Sequence, residues 1–113
     1  GYPAGEMKHG PIALITDALP VVVVAPRDPV FPKTLGNMKE VESRGGRLLA
    51  VTDEPTDDLQ GLCSDVIVVP KAHPFVAPFV LTVPLQLLAY HVAVGRGTDV
   101  DQPRNLAKSV TVE

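Results

Sequence analysis

Pro20-Val21-Val22-Val23-Val24-Ala25-Pro26 is the stretch on which the fold turns. Four β-branched residues in unbroken succession favour an extended backbone, and the two prolines bound it. The run has no polar alternation, as expected of a strand buried on both faces in a parallel sheet. Two further runs repeat the pattern, Arg47-Leu48-Leu49-Ala50-Val51-Thr52 and Asp65-Val66-Ile67-Val68-Val69. The interval between the first two matches a βαβ unit of roughly 30 residues, whose crossover is right-handed.

Working outward, Phe31, Leu35, Met38 and Val41 recur at helical spacing between the first two strands. Asp28 is a candidate cap for that helix, Glu40 and Arg44 a candidate i,i+4 ion pair, and Gly45-Gly46 its stop. Asp53–Ser64 is acidic and turn-prone, with room for at most a short helix near Asp57–Leu62. Ahead of the first strand, Glu6-Met7-Lys8-His9 reads as a helical turn broken at Gly10, and Pro11 suits the first position of a new helix. After the third strand comes a long apolar segment, Phe75–Val94, expected to kink near Pro84. It is apolar on all sides, so it is expected to be buried or to lie against another subunit. Pro78, Thr82, Pro84, Gln86 and His91 interrupt it, which argues against a membrane span. The expected architecture is α/β: a partial parallel sheet of three strands flanked by helices, with an ordered carboxyl-terminal tail.

The chain has 113 residues, 45% of them apolar and 20% charged, in keeping with one soluble domain or part of one. A net charge of −3 without a lysine/arginine run gives no electrostatic support for nucleic-acid or anionic-membrane binding. Twelve prolines, roughly twice the average usage, imply short and sharply bounded elements. The single cysteine, Cys63, excludes an internal disulfide and suits a reducing cytoplasm. The chain begins Gly-Tyr-Pro without an initiator methionine and is expected to be a piece of a longer protein.

No phosphate-binding glycine loop, zinc-protease helix motif or serine-hydrolase elbow occurs. Asp99-Val100-Asp101 offers too few oxygens for a dedicated cation site and is expected to cap backbone amides, so no metal is expected. Cys63 follows a leucine without a basic neighbour and reads as a small packed hydrophobe. His73 reads as a loop residue and His91 as a helix-packing residue. His9 stands before a helix start, beside a glycine that admits close approach of a ligand, and an imidazole there can exchange protons near neutral pH. Taken alone it is an ordinary loop histidine. The strand ends at Ala25–Asp28 and Thr52–Glu54 are expected to form the crevice where open α/β sheets bind ligands.

The last seventeen residues, Gly97-Thr98-Asp99-Val100-Asp101-Gln102-Pro103-Arg104-Asn105-Leu106-Ala107-Lys108-Ser109-Val110-Thr111-Val112-Glu113, carry many local constraints for a terminus. Gly97 stops the preceding helix, Asp99 and Asp101 can bond nearby amides, and Pro103 fixes a dihedral. A docked tail could bury Lys108 enough to keep its amine neutral for condensation with a carbonyl. Standing alone, Lys108 is a solvated tail lysine.

This tail resembles the carboxyl terminus of the glucosamine-6-phosphate synthases, the isomerising glutamine:fructose-6-phosphate aminotransferases. Glu6-Met7-Lys8-His9-Gly10-Pro11-Ile12-Ala13-Leu14-Ile15 and Thr82–Ala93 resemble two further segments of the same family. The resemblance implies that residues 1–113 are the carboxyl-terminal part of the second sugar-isomerase (SIS) domain, with 97–113 as its tail. It implies that Lys108 forms the fructosimine, and that His9 assists ring opening in the neighbouring subunit's site. Ala107 would line the sugar site through its backbone. Fructose 6-phosphate and glucosamine 6-phosphate are the implied ligands, a cytoplasmic homodimer the implied state, and no cofactor is implied. The family's phosphate-holding loop, its proton-moving glutamate and its amino-terminal glutaminase lie upstream, so the isolated chain is expected to be inactive. The alternative is a non-catalytic SIS module that binds a sugar phosphate for regulation.

Overall fold

The structure, a computed structural model, describes residues 1–102. They fall into two compact units, one ending at Leu81 and the other beginning at Thr82. In the first unit the strands β1 (Pro20–Val24), β2 (Arg47–Thr52) and β3 (Asp65–Val68) form a parallel sheet in the order β1-β2-β3. Val21 pairs with Leu48, and Leu49 with Asp65. The helices α1 (Phe31–Glu42) and α2 (Asp57–Leu62) provide the crossovers. The expected α/β sheet of three parallel strands with flanking helices is therefore the observed one, while residues 103–113 of the expected ordered tail lie outside the described residues.

Strand alternation explains the core. Val21, Val23, Leu48, Ala50 and Val66 point to one side, where they meet Phe31, Met38 and Val41 of α1 and Leu59 of α2. Each large side chain fully buried there contributes about 1.5–3 kcal/mol. The opposite side carries Val22, Val24, Leu49, Val51 and Ile67. Of these only Val51 is buried, while Val22 and Val24 remain 36% and 38% exposed. The expectation that β1 is buried on both faces is thus not met: Val21 and Val23 are half-buried on one face, and the other face is exposed. Both crossover helices pack against the same side of the sheet.

Local chemistry sets the ends of the elements. The Asp28 carboxylate accepts from the Val30 amide at 2.9 Å, shaping the turn into α1 without acting as its cap residue, which is Val30. α1 ends at Glu42, and Gly45 takes a φ of 80° that favours glycine. Because Arg44 lies beyond the last helical residue, it loses the i,i+4 register, and no Glu40–Arg44 ion pair forms. Lys39 instead reaches Asp58 at 3.9 Å. The Gly46 amide donates to the Val41 carbonyl at 3.1 Å, which turns the chain sharply into β2. α2 occupies the expected residues: the Thr56 hydroxyl accepts from the Leu59 amide, and Asp57 and Asp58 lie in the positive first turn.

The helix α3 (Ala77–Gly95) runs through Pro84 and across the boundary between the units. Only Leu81 among its residues is buried, so the expectation of burial within the chain is not met. Val83, Leu87, Tyr90, Val92 and Val94 are exposed on it. By length and composition alone, α3 also satisfies the criterion for a bilayer span. In the second unit Gly97 adopts a φ of 68°, and the Thr98 amide and hydroxyl both donate to the Ala93 carbonyl, stopping the helix as expected. The Asp99 carboxylate accepts from the amides of Asp101 and Gln102 at 2.9 and 3.0 Å. That carboxylate therefore does serve the backbone.

Candidate functional site

His9 closes a 3₁₀ helix, η1 (Ala4–His9), and a second, η2 (Pro11–Leu14), starts immediately beyond Gly10. The reversal between them depends on Gly10, whose φ of 150° and ψ of −53° are reserved for glycine. A methyl group there would meet nothing within 4 Å. Conformation, not space, therefore demands glycine. Met7 and Ile15, on either side of the reversal, pack against the core cluster and fix the segment to the first unit.

The His9 ring points its Nδ1 at Glu6 Oε2, 2.9 Å away. The reason lies in the helix type: three residues per turn eclipse positions i and i+3, so the two side chains stand on one line. An ionised carboxylate only accepts hydrogen bonds, so Nδ1 carries the proton. Nε2 has no protein partner among the described residues. The side chains of the pair are 63% and 59% exposed, and a pair this exposed adds only about 0–1 kcal/mol to stability. The Glu-x-x-His spacing was visible in the sequence, but its meaning depends on a 3₁₀ turn rather than an α-helical one.

The carboxyl ends of the strands carry a second cluster. The Asp53 carboxylate accepts from the Arg27 amide at 2.7 Å, tying the loops after β1 and β2. Glu54 lies between Arg27 (3.9 Å) and Lys71 (3.3 Å), so one carboxylate links the segments after all three strands. The Arg27 guanidinium also sits 4.5 Å above the Phe31 ring. The Thr52 hydroxyl, fully buried, donates to the Glu54 carbonyl and accepts from the Glu54 amide. At the crevice expected at Ala25–Asp28 and Thr52–Glu54, Glu54 is thus ion-paired, while the carboxylates of Asp28 and Asp53 are bonded to backbone amides. Its ion pairs join Glu54 to Arg27 and to Lys71 and do not include His9.

Cys63 is half-buried, and burial pushes its thiol up from the ordinary range, which disfavours the thiolate a nucleophile needs. His73 stacks on Phe75 at 5.8 Å and accepts from its amide. His91 meets Tyr90 edge-on at 5.3 Å. No group of three or more metal-ligating side chains occurs among the described residues. Ala107 and Lys108 lie outside the described residues, as does Pro103.

Comparison with known proteins identifies the class first. The SIS domain family matches residues 1–96. An isomerising glutamine–fructose-6-phosphate aminotransferase of Thermus thermophilus is 62% identical over 112 residues, which cover 99% of this chain and 18% of that protein. The protein of the same description from Sphingobium yanoikuyae is 59% identical over all of this chain and 73% of its own length. Among solved structures, the C-terminal domain of glucosamine-fructose-6-phosphate aminotransferase from Francisella tularensis superposes with a TM-score of 0.78. Identity there is 47%, over 90% of this chain and 29% of that one. The chain belongs to the SIS domain family, in the branch formed by the isomerising glutamine–fructose-6-phosphate aminotransferases. It spans less than a fifth of the length of the Thermus relative.

Proposed function

We propose that this chain is the carboxyl-terminal segment of the second SIS domain of an enzyme that makes glucosamine 6-phosphate from fructose 6-phosphate and glutamine. The observation that carries this reading is the high identity to aminotransferases over essentially the whole chain. The ketose must first open. The C2–O5 bond breaks as the ring oxygen gains a proton and the anomeric hydroxyl loses one. His9 mediates that exchange, acting in the site of the neighbouring subunit of a cytoplasmic homodimer. Lys108, as the neutral amine, then adds to the C2 carbonyl and expels water to give the imine, while the Ala107 backbone lines the sugar. No cofactor takes part in this scheme. Neutrality of Lys108 requires desolvation or a neighbouring cation.

The test is borohydride trapping in the full-length enzyme. Unaltered protein incubated with fructose 6-phosphate and borohydride acquires a sugar adduct on Lys108, read by peptide mass. Lys108→Arg keeps the charge but cannot deprotonate to attack, so the adduct disappears. Trapping at an unchanged rate refutes the assignment. The 113-residue chain alone is inactive in this reading, because the resemblance assigns the phosphate-holding loop to upstream sequence. Calorimetry with fructose 6-phosphate should give no binding heat for it, and sub-millimolar binding would contradict this.

A further inference from the structure

We infer that Glu6 is the positioning residue for His9, and that it makes Nε2 the only ring atom through which His9 exchanges protons with the sugar. The inference rests on the proposed role of His9 in ring opening and adds to it a second residue and a defined atom.

Three observations meet in this segment. The Glu6 Oε2–His9 Nδ1 distance is 2.9 Å, within the range of a charge-assisted hydrogen bond. The 3₁₀ turn of η1 eclipses residues 6 and 9, so the pairing follows from the backbone and needs no third element. Gly10 then reverses the chain directly after the imidazole, and no described side chain pairs with Nε2. Left to itself, a neutral imidazole favours the proton on Nε2. A carboxylate on Nδ1 inverts that preference, because it can only accept. Neutral His9 therefore offers a lone pair at Nε2, and protonated His9 offers an N–H at the same atom. Ring opening needs one group that can do both in turn, delivering a proton to the ring oxygen and taking one from the anomeric hydroxyl.

Two measurements test this and separate it from the functional reading. Long-range proton–nitrogen NMR spectra of the 113-residue chain, recorded above the imidazole titration, report which His9 nitrogen bears hydrogen. The His9 signals are identified by their loss in His9→Gln. In the unaltered chain the protonated nitrogen should be Nδ1, and in Glu6→Ala it should be Nε2. The same tautomer in both overturns the inference. In the full-length enzyme, Glu6→Ala should lower isomerising turnover by about ten-fold or more, a part of the roughly 10²–10⁴-fold that general acid–base catalysis contributes. In a His9→Ala background the same change should cost nothing further, because Glu6 acts through His9. Equal losses in both backgrounds, or no loss from Glu6→Ala where His9→Ala is disabling, overturn it. A harmless His9→Ala change instead brings down the functional reading and the catalytic half of this inference with it; the tautomer spectra then still decide the pairing.

Discussion

Replacing Gly46 by alanine tests how the His9-bearing segment is held to the sheet. A Cβ at Gly46 would lie 2.6 Å from Val41 Cγ1, 2.7 Å from Ile15 Cγ2 and 3.0 Å from the Val41 carbonyl oxygen. Ordinary contact begins at 3.4 Å, so Val41 would have to retreat by 0.8 Å and Ile15 by 0.7 Å. Both are β-branched and stiff at χ1, so neither can swing aside cheaply. The carbonyl cannot move either without loosening its bonds from the Arg44 and Gly46 amides. Overpacking of this kind costs about 1–3 kcal/mol. At about 4–8 °C per kcal/mol for a small domain, a 2 kcal/mol loss lowers the melting temperature by roughly 10 °C. Gly36→Ala is the control: Gly36 lies within α1, with nothing within 4 Å of a new Cβ. There alanine should stabilise by about 1 kcal/mol through helix propensity. Thermal unfolding followed by circular dichroism reads both. Shifts of the same sign in the two variants would refute the packing argument.

Two further outcomes are expected. Gly10→Ala should destabilise the η1–η2 reversal by about 1–3 kcal/mol through backbone strain, despite the open space around it; faster amide exchange confined to residues 4–15 would report it, and unchanged exchange would contradict it. The Cys63 thiol, raised by burial, should react slowly with a disulfide reagent in the native chain and rapidly after unfolding. Its sign in stability follows: below the thiol's unfolded value of about 8.5 nothing changes, and above it the unfolded state alone releases the proton, so stability falls as pH rises. Cys63→Ala should flatten that alkaline slope in urea titrations.

Much of the sheet was legible because apolar runs bounded by proline, glycine or acidic turn residues leave few alternatives. The short helix at Asp57–Leu62 was legible only as room within an acidic, turn-prone connection, and its Thr56 cap emerges in the structure. The exposed side of β1 was not legible. An uninterrupted valine run specifies that both faces tolerate burial, not that this chain supplies both covers. The same holds for α3: apolar residues on all its sides imply cover, and within the chain only Leu81 has it. At His9 the sequence displayed both members of the pair, but helix type decides whether i and i+3 align, and propensity does not distinguish a 3₁₀ turn from an α-helical one. The Arg27–Glu54–Lys71 bridge was hidden for another reason, because it joins three loops that only the parallel topology brings together.

β1 also bears on how the chain behaves in concentrated solution. It is an edge strand, and among the described residues its outer hydrogen-bonding groups pair with no other strand. Its four consecutive valines carry no charge, and the flanking Pro20 and Pro26 lie at or beyond its ends, where they do not protect the middle. Natural edges are usually blunted by lysine, a bulge or an internal proline. This one has the uncharged, β-branched composition of segments that stack into cross-β assemblies. The 113-residue chain on its own should therefore lose solubility steeply with concentration, and a lysine at exposed Val22 should restore it.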